Sequence, residues 1–344
     1  VGIVLYNGGT LYLDDGKPVP ALFERTIENL KEISPTIYFN VPKGFDMLVQ
    51  YLEKDQALCE SFFSKLNLMF FAGASLSQHV WDQLDELAIK TVGAKIGMLT
   101  GLGATETSPA ALFASLEESA SGVIGLPAVG VELKLVPNGG KLECRVNGPN
   151  VMPGYWRQPE LNEKCFDEDG FYCIGDAVKF IDPDNIQRGL IFDGRISEDF
   201  KMDTGTWVSV GPLRAAIISI GAPYVQDVVV GGINQSYVSV GVFPVINQCR
   251  ELSGLSVGAS DEDVLSSEPV RSFFVSLLDT LAKNSTGSSN RVERLVLFRE
   301  PPQLDAHEIT DKGSINQRAV LENRADLFAT LYRENPPEWV LSCH

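Results

Sequence analysis

Thr100-Gly101-Leu102-Gly103-Ala104-Thr105-Glu106-Thr107 follows an apolar segment, Ala94 to Leu99, that has the length of a short buried strand. Ser108-Pro109 comes next, then the small, apolar run Ala110 to Leu116. A glycine-rich turn that leaves a strand and presents a hydroxyl and a carboxylate suits a phosphate and its metal. A plain tight turn with a solvated Glu106 has the same local pattern, so the surrounding sequence decides between the two.

The chain has 344 residues, 44% of them apolar and 21% charged, which is ample for two domains with cores of their own. Its 45 acidic residues against 28 basic ones leave a net charge of −17, which repels nucleic acid and anionic membranes. Neither is expected as a partner, although a few placed cations and backbone amides still suffice for a nucleotide. Cys59, Cys144, Cys165, Cys173, Cys249 and Cys343 are scattered without a CxxC pair, the usage of a reduced, cytoplasmic protein. Asn234-Gln235-Ser236 and Asn284-Ser285-Thr286 match glycosylation acceptors but stand without a secretory signal. The sequence opens at Val1, without methionine, directly inside an apolar run, and is read as N-terminally incomplete.

Val1 to Tyr6 and Thr10 to Leu13 are expected to form a hairpin around Asn7-Gly8-Gly9. Apolar spacing predicts helices over Leu22–Ile33, Phe45–Leu58 and Phe62–Leu66, with a short buried strand at Thr36–Asn40. Asn67–Phe71 reads as a strand, and Ala72-Gly73-Ala74-Ser75 turns it into a helix carrying His79, taken as a half-buried packing residue, and Trp81. This strand, small-residue turn and helix repeat the opening pattern, as in a layered α/β domain with its ligand at the strand ends. From Val123 the texture becomes β, predicting a small antiparallel sheet or partly open barrel. Beyond Asp193-Gly194-Arg195 comes a small α+β region. It comprises a hairpin over 197–210, a helix at 211–220, strands at 225–230, 238–243 and 291–298, and helices at 273–281 and 317–332. Ser253–Glu268 and Lys283–Asn290 are read as loops.

Four stretches now fall in a fixed order: Thr100 to Glu106; Gly170-Phe171-Tyr172-Cys173-Ile174-Gly175-Asp176; Phe192-Asp193-Gly194-Arg195 through Lys201; and Ile309-Thr310-Asp311-Lys312-Gly313. Asn147 to Trp156 sits between the first two. In this order and spacing the chain resembles the adenylate-forming family of acyl-CoA synthetases, luciferases and peptide-synthetase adenylation domains. The similarity is strongest to feruloyl-CoA synthetases, in Gly8–Pro18, Ser34–Lys43, Leu99–Thr107 and Asp199–Val208.

The resemblance implies an α/β fold. Residues 1–192 would be the C-terminal portion of a layered α/β large domain, with a small antiparallel β subdomain at about 123–192. Residues 193–197 would be a hinge, and 198–344 a small α+β lid domain that rotates between two half-reactions. A carboxylate first attacks the α-phosphate of ATP, and the thiol of coenzyme A then displaces AMP. Thr105 corresponds to a phosphate contact and Glu106 to the carboxylate that holds Mg2+, a hard cation suited to oxygen ligands. Asp176 corresponds to the acceptor for both ribose hydroxyls, and Arg195 to the arginine beside the ribose and the hinge. Gly73, Ala74 and Ser75 match the loop along adenine and the acyl chain, where small residues allow close backbone approach. Gly103 belongs to the cofactor-binding turn. Lys312 corresponds to the cation that stabilises charge at the attacked phosphate, although it precedes Gly313, where relatives place it after the glycine. Lys201 matches the lysine of the thioester step and Gly205 the glycine beside the pantetheine path.

The sequence also departs from the family. Leu102 stands where most relatives have a tyrosine against adenine, and Ser197 replaces a charged hinge residue. The Ser/Thr/Gly-rich phosphate loop ending in Pro-Lys is absent from these 344 residues, so the chain alone is expected not to adenylate. An aromatic, feruloyl-type acid is the expected substrate, on the resemblance alone. The alternatives are the adenylation domain of a carboxylic acid reductase and a non-catalytic fragment that binds nucleotide or a partner protein.

Overall fold

The computed structural model describes residues 2–256, 258–310 and 313–343. Two compact units emerge, one from the chain up to Thr100 together with Ser115–Ser121, the other from Gly101–Ala114 and Gly122 onward.

The first unit is built on three parallel strands, β1 (Ile37–Asn40), β2 (Leu68–Phe71) and β3 (Gly97–Leu99), in that spatial order. Its helices are α1 (Gly2–Tyr6), α2 (Pro20–Glu32), α3 (Pro42–Leu52), α4 (Gln56–Phe63) and α5 (Gln78–Val92). Phe23, Phe45, Leu48, Leu58, Phe62, Phe71 and Leu84 form its core, which covers one face of the sheet. On β1 Ile37 and Phe39 remain about half exposed, so the strand expected to be buried is not. The hairpin expected at the start is replaced by α1 and an irregular segment, because Asn7 closes a helical turn by donating to Ile3 O. The single helix expected over 45–58 is two helices. Asp55 accepts from Leu58 N as an N-cap and restarts the chain after Leu52. Ser77 caps α5 in the same way, and Gly93 ends it at φ +79°.

In the second unit, β4 (Gly101–Leu102), β5 (Leu112–Phe113), β6 (Val123–Pro127), β7 (Glu132–Asn138), β8 (Lys141–Asn147), β9 (Tyr172–Phe180) and β10 (Leu190–Arg195) make one antiparallel sheet ordered β4-β5-β6-β10-β9-β8-β7. The β texture read from Val123 onward is therefore a sheet with two open ends. A short helix, α6 (Pro159–Cys165), precedes β9.

After β10 come the hairpin β11 (Phe200–Lys201) and β12 (Trp207–Val208), then α7 (Val210–Gly221). Strands β13 (Val225–Gly231), β14 (Val238–Pro244), β15 (Val292–Leu297) and β16 (Leu341–Ser342) form a four-stranded mixed sheet. On one face pack α7, α8 (Ile246–Ser253), α9 (Asp261–Ser266) and α10 (Glu268–Asn284); on the other pack α11 (Gln317–Asn323) and α12 (Ala325–Leu331). Central β14 is buried along its whole length, as a strand covered on both faces must be. The loop expected over 253–268 contains α9: Ser260 accepts from Asp263 N, and Asp261, Glu262 and Asp263 favour the helix start electrostatically. The helix expected over 317–332 breaks at Arg324, whose guanidinium is held by Glu308. Residues 193–197 lie inside the second unit, where β10 and α7 pack on each other.

Candidate functional site

The chain leaves β3 at Thr100 and enters the second unit at Gly101, so the Thr105–Thr107 turn belongs to that unit. The turn is one 3-10 step. Thr107 is fully buried, and its hydroxyl accepts from Ala104 N and donates back to Ala104 O, which pins the turn from within. A Cβ on Gly103 would lie 2.1 Å from Pro109 O, so the glycine lets the chain fold back on itself here. Thr105 is exposed and Glu106 half-buried. Leu102 packs into the cluster formed by Leu112, Ile124, Val146 and Tyr172, which gives it a role in the core.

A second segment, 147–156, grips this turn. Met152 N donates to Glu106 O at 2.8 Å, and Asn150 Nδ2 donates to both Thr107 O and Ala110 O at 3.0 Å. The Tyr155 hydroxyl donates to Glu106 Oε1 at 2.6 Å. That bond to Glu106, followed by one to Tyr172 and by burial, raises the Tyr155 phenol above its ordinary range, so Tyr155 stays protonated and a donor. Tyr172, nearly buried, feels the charges of both Glu106 and Arg195. Sequence reasoning passed over Tyr155 and Asn150. The stretch holding them was visible, but nothing in their spacing showed which residue would face Glu106.

Asp176 and Arg195 are cross-strand partners of β9 and β10. Asp176 is 3% exposed, and burial pushes its carboxyl up to about 6, only partly opposed by Arg195. The guanidinium is mostly exposed and therefore screened by solvent, so desolvation wins. Arg195 Nε lies 3.2 Å from Asp176 Oδ1, yet the angle makes no hydrogen bond, and among the described residues that buried oxygen has no hydrogen-bond partner. An unmet buried acceptor is costly. It is what a ribose hydroxyl would satisfy.

Residues 1–156 match the family described as AMP-binding enzyme. The chain is 26% identical over 349 residues to an anthranilate–CoA ligase of Pseudomonas aeruginosa, covering 97% of this chain and 56% of that protein. It is 25% identical over 277 residues to a probable chloroplastic acyl-activating enzyme 16 of Arabidopsis thaliana, covering 76% and 37%. Among solved structures, the A domain of a carboxylic acid reductase from Segniliparus rugosus, in complex with AMP and a carboxylic acid, aligns with a TM-score of 0.70 at 21% identity, covering 95% of this chain and 51% of that one. The chain thus shares the fold of part of an adenylation domain and spans between about a third and just over half the length of these relatives.

The remaining candidate residues are dispersed. Gly73, Ala74 and Ser75 are exposed in the turn after β2, in the first unit, with Gly73 at φ +91°. His79, expected to be half-buried, is exposed on α5. Lys201 is exposed on the β11–β12 hairpin with its ammonium 5.0 Å from the Trp207 ring centroid. Gly205 turns that hairpin at φ +80° with open space around it. Lys312 lies outside the described residues. Ser197 is exposed. Among the described residues no His, Cys, Asp or Glu cluster is poised to enclose a metal, and no helix is long and apolar enough to cross a membrane. The half-buried Glu106 carboxylate nevertheless fits Mg2+, which is commonly held by one carboxylate together with substrate phosphates and water.

Proposed function

We propose that the protein is an ATP-dependent acid–thiol ligase that joins a carboxylic acid to AMP and passes the acyl group to coenzyme A. The observation that carries this reading is the buried, unmet Asp176 oxygen beside Arg195, in a chain whose residues 1–156 match the AMP-binding enzyme family. Asp176 accepts the ribose hydroxyls, and Arg195 adds a cation at the same edge. Glu106, oriented by Tyr155, would hold Mg2+, which neutralises phosphate charge during the transfer. Thr105 offers its exposed hydroxyl to phosphate. Lys312 supplies the cation for adenylation, and Lys201 with Gly205 serves the thioester step. Gly73, Ala74 and Ser75 lie along the adenine and acyl group. Residues 1–192, 193–197 and 198–344 act as large-domain portion, hinge and lid. The substrate is an aromatic acid of feruloyl type. The similarity to an anthranilate–CoA ligase supports an aromatic acid, and the Gly8–Pro18 and Asp199–Val208 stretches support the feruloyl subgroup. A cytoplasmic location is part of this reading, and the scattered, unpaired cysteines support it.

A second reading, adenylation domain of a carboxylic acid reductase, is favoured by the fold likeness to the Segniliparus rugosus A domain. The two differ in the thiol acceptor, coenzyme A or a carrier-bound thiol. Titration of AMP into the chain tests the nucleotide site: Asp176→Asn should weaken binding about tenfold to a hundredfold, the worth of hydrogen bonds to a charged acceptor. Equal affinity of wild type and variant would overturn the assignment. AMP release from a panel of cinnamic, benzoic and fatty acids, assayed with a protein that also carries the phosphate loop, then tests the substrate, and faster turnover of fatty acids rejects the aromatic reading.

A further inference from the structure

Lys141, the first residue of β8, is absent from every motif above. Its side chain is 6% exposed and that of its partner Asp199 is 10% exposed, with Nζ to Oδ2 at 2.6 Å. The same ammonium donates to Asp193 O at 2.6 Å. Asp199 in turn accepts from Val210 N, the first amide of α7, through Oδ1 at 2.9 Å. The three anchors therefore lie on three segments: the end of β10, the segment just before the hairpin, and the start of α7. Two of these come after residues 193–197 and one at their beginning.

The backbone at this point is equally close. Gly194 sits at φ +96°, and a Cβ on Gly211 would lie 2.6 Å from Gly194 Cα. A Cβ on Gly194 would lie 3.4 Å from Lys141 Nζ. The two glycines let α7 seat directly on the 193–197 segment, with Lys141 across the seam. A buried ion pair contributes little net stability compared with apolar packing, but it fixes one geometry, because parting the charges leaves each desolvated and alone.

We propose that Lys141 is a positioning residue that latches the hairpin and α7 in one orientation against β8 and β10, and that this latch must open when the segment after residue 197 rotates. The proposal rests on the ligase reading for its role in the cycle, but the latch itself is a property of the chain. Lys141 touches no substrate in this account; it acts through Asp199 and the 193 carbonyl.

The test compares wild type, Lys141→Arg, and the double variant Lys141→Met with Asp199→Asn. The double variant removes the latch without leaving an unpaired buried charge, whereas Lys141→Met alone leaves Asp199 stranded. Hydrogen exchange on the 344-residue chain needs no substrate. Amides over residues 193–210 should exchange about tenfold faster in the double variant, with β13, β14 and β15 unchanged and Lys141→Arg near wild type. Unchanged exchange over 193–210, or acceleration spread equally over β13–β15, overturns the latch. In the active ligase the ratio of acyl-adenylate formation to thioester transfer should change about tenfold, a coupling-sized effect. Both half-reactions falling in equal proportion overturns the positioning role. A protein that carries these residues together with a Ser/Thr/Gly-rich phosphate loop ending in Pro-Lys and still activates no acid removes the ligase reading and leaves the exchange measurement standing.

Discussion

Arg195 Nε lies 3.2 Å from Asp176 Oδ1 without donating a hydrogen bond to it, so the strands pair a cation and a buried carboxylate while leaving the carboxylate's oxygen open. A salt bridge made only for stability would have closed that angle. The open geometry costs folding energy and suits a ligand.

This cost has a pH signature. The Asp176 carboxyl is raised from 3.8 to about 6 in the folded chain, so between those values the folded state holds a proton that the unfolded state has lost. Stability from this group is therefore greatest below about pH 4 and is lost as pH rises to 6, by about 3 kcal/mol in all. Asp176→Asn should be more stable than wild type at pH 7, and the gap should close toward pH 4 in denaturant titrations. Parallel curves for the two proteins would contradict this. The same variant should lose AMP affinity, separating the site's function from its contribution to folding.

Tyr155→Phe deletes only the hydroxyl that holds Glu106 Oε1. The expected stability loss is about 1 kcal/mol, the net worth of one hydrogen bond. In a protein that also carries the phosphate loop, its functional effect should appear as a higher Mg2+ concentration needed for half-maximal pyrophosphate exchange, with maximal rate closer to wild type than in Glu106→Gln. A metal requirement identical to wild type would show that Tyr155 does not orient the carboxylate.

In the C-terminal part of the chain Glu308 and Arg324 form a buried pair at 2.7 Å, with the guanidinium 4.6 Å from the Phe298 ring centroid and 5.1 Å from that of Phe243. Arg324→Ala strands a buried carboxylate and should cost about 3–5 kcal/mol in chemical denaturation. The bond to Arg324 holds Glu308 below its ordinary carboxylate value of 4.5, so its stabilisation is present above that pH and is lost as the pH falls further. Arg324→Ala should accordingly lose less on acidification than wild type.

Gly211→Ala forces a methyl to within 2.6 Å of Gly194 Cα, where backbone rather than a flexible side chain must yield. A loss of about 1–3 kcal/mol is expected, typical of overpacking. Faster exchange over residues 193–197 should accompany it. A thermal melt indistinguishable from wild type would show that the seam is looser than its contacts indicate.

Much of the second unit was legible in sequence because its strands alternate and are punctuated by turns. The strands near 225, 238 and 292 and the hairpin around Gly205 lie where the pattern placed them. Failures occurred where one polar side chain redirected the backbone. Asp55 splits a helix, Ser260 starts one inside a serine-rich stretch, and Arg324 breaks one to reach Glu308. An N-cap and a surface polar residue look alike until the amide it caps is known.

The sequence by itself determined the order of its motifs: a glycine turn ending in Thr105 and Glu106, an aspartate after Gly175, an arginine after Gly194. Order along the chain is local information; the match to the AMP-binding enzyme family covers residues 1–156, with the glycine turn among them, while Asp176 and Arg195 lie beyond it. Only the tertiary structure decided that Tyr155, rather than another residue of its segment, holds Glu106, that the Asp176 oxygen stays unmet beside Arg195, and that Lys141 crosses the 193–197 seam to Asp199. Those relations join residues 49, 19 and 58 positions apart. Each depends on a hydrogen-bond angle or a degree of burial, and the sheet register that sets them is written in no single stretch of sequence.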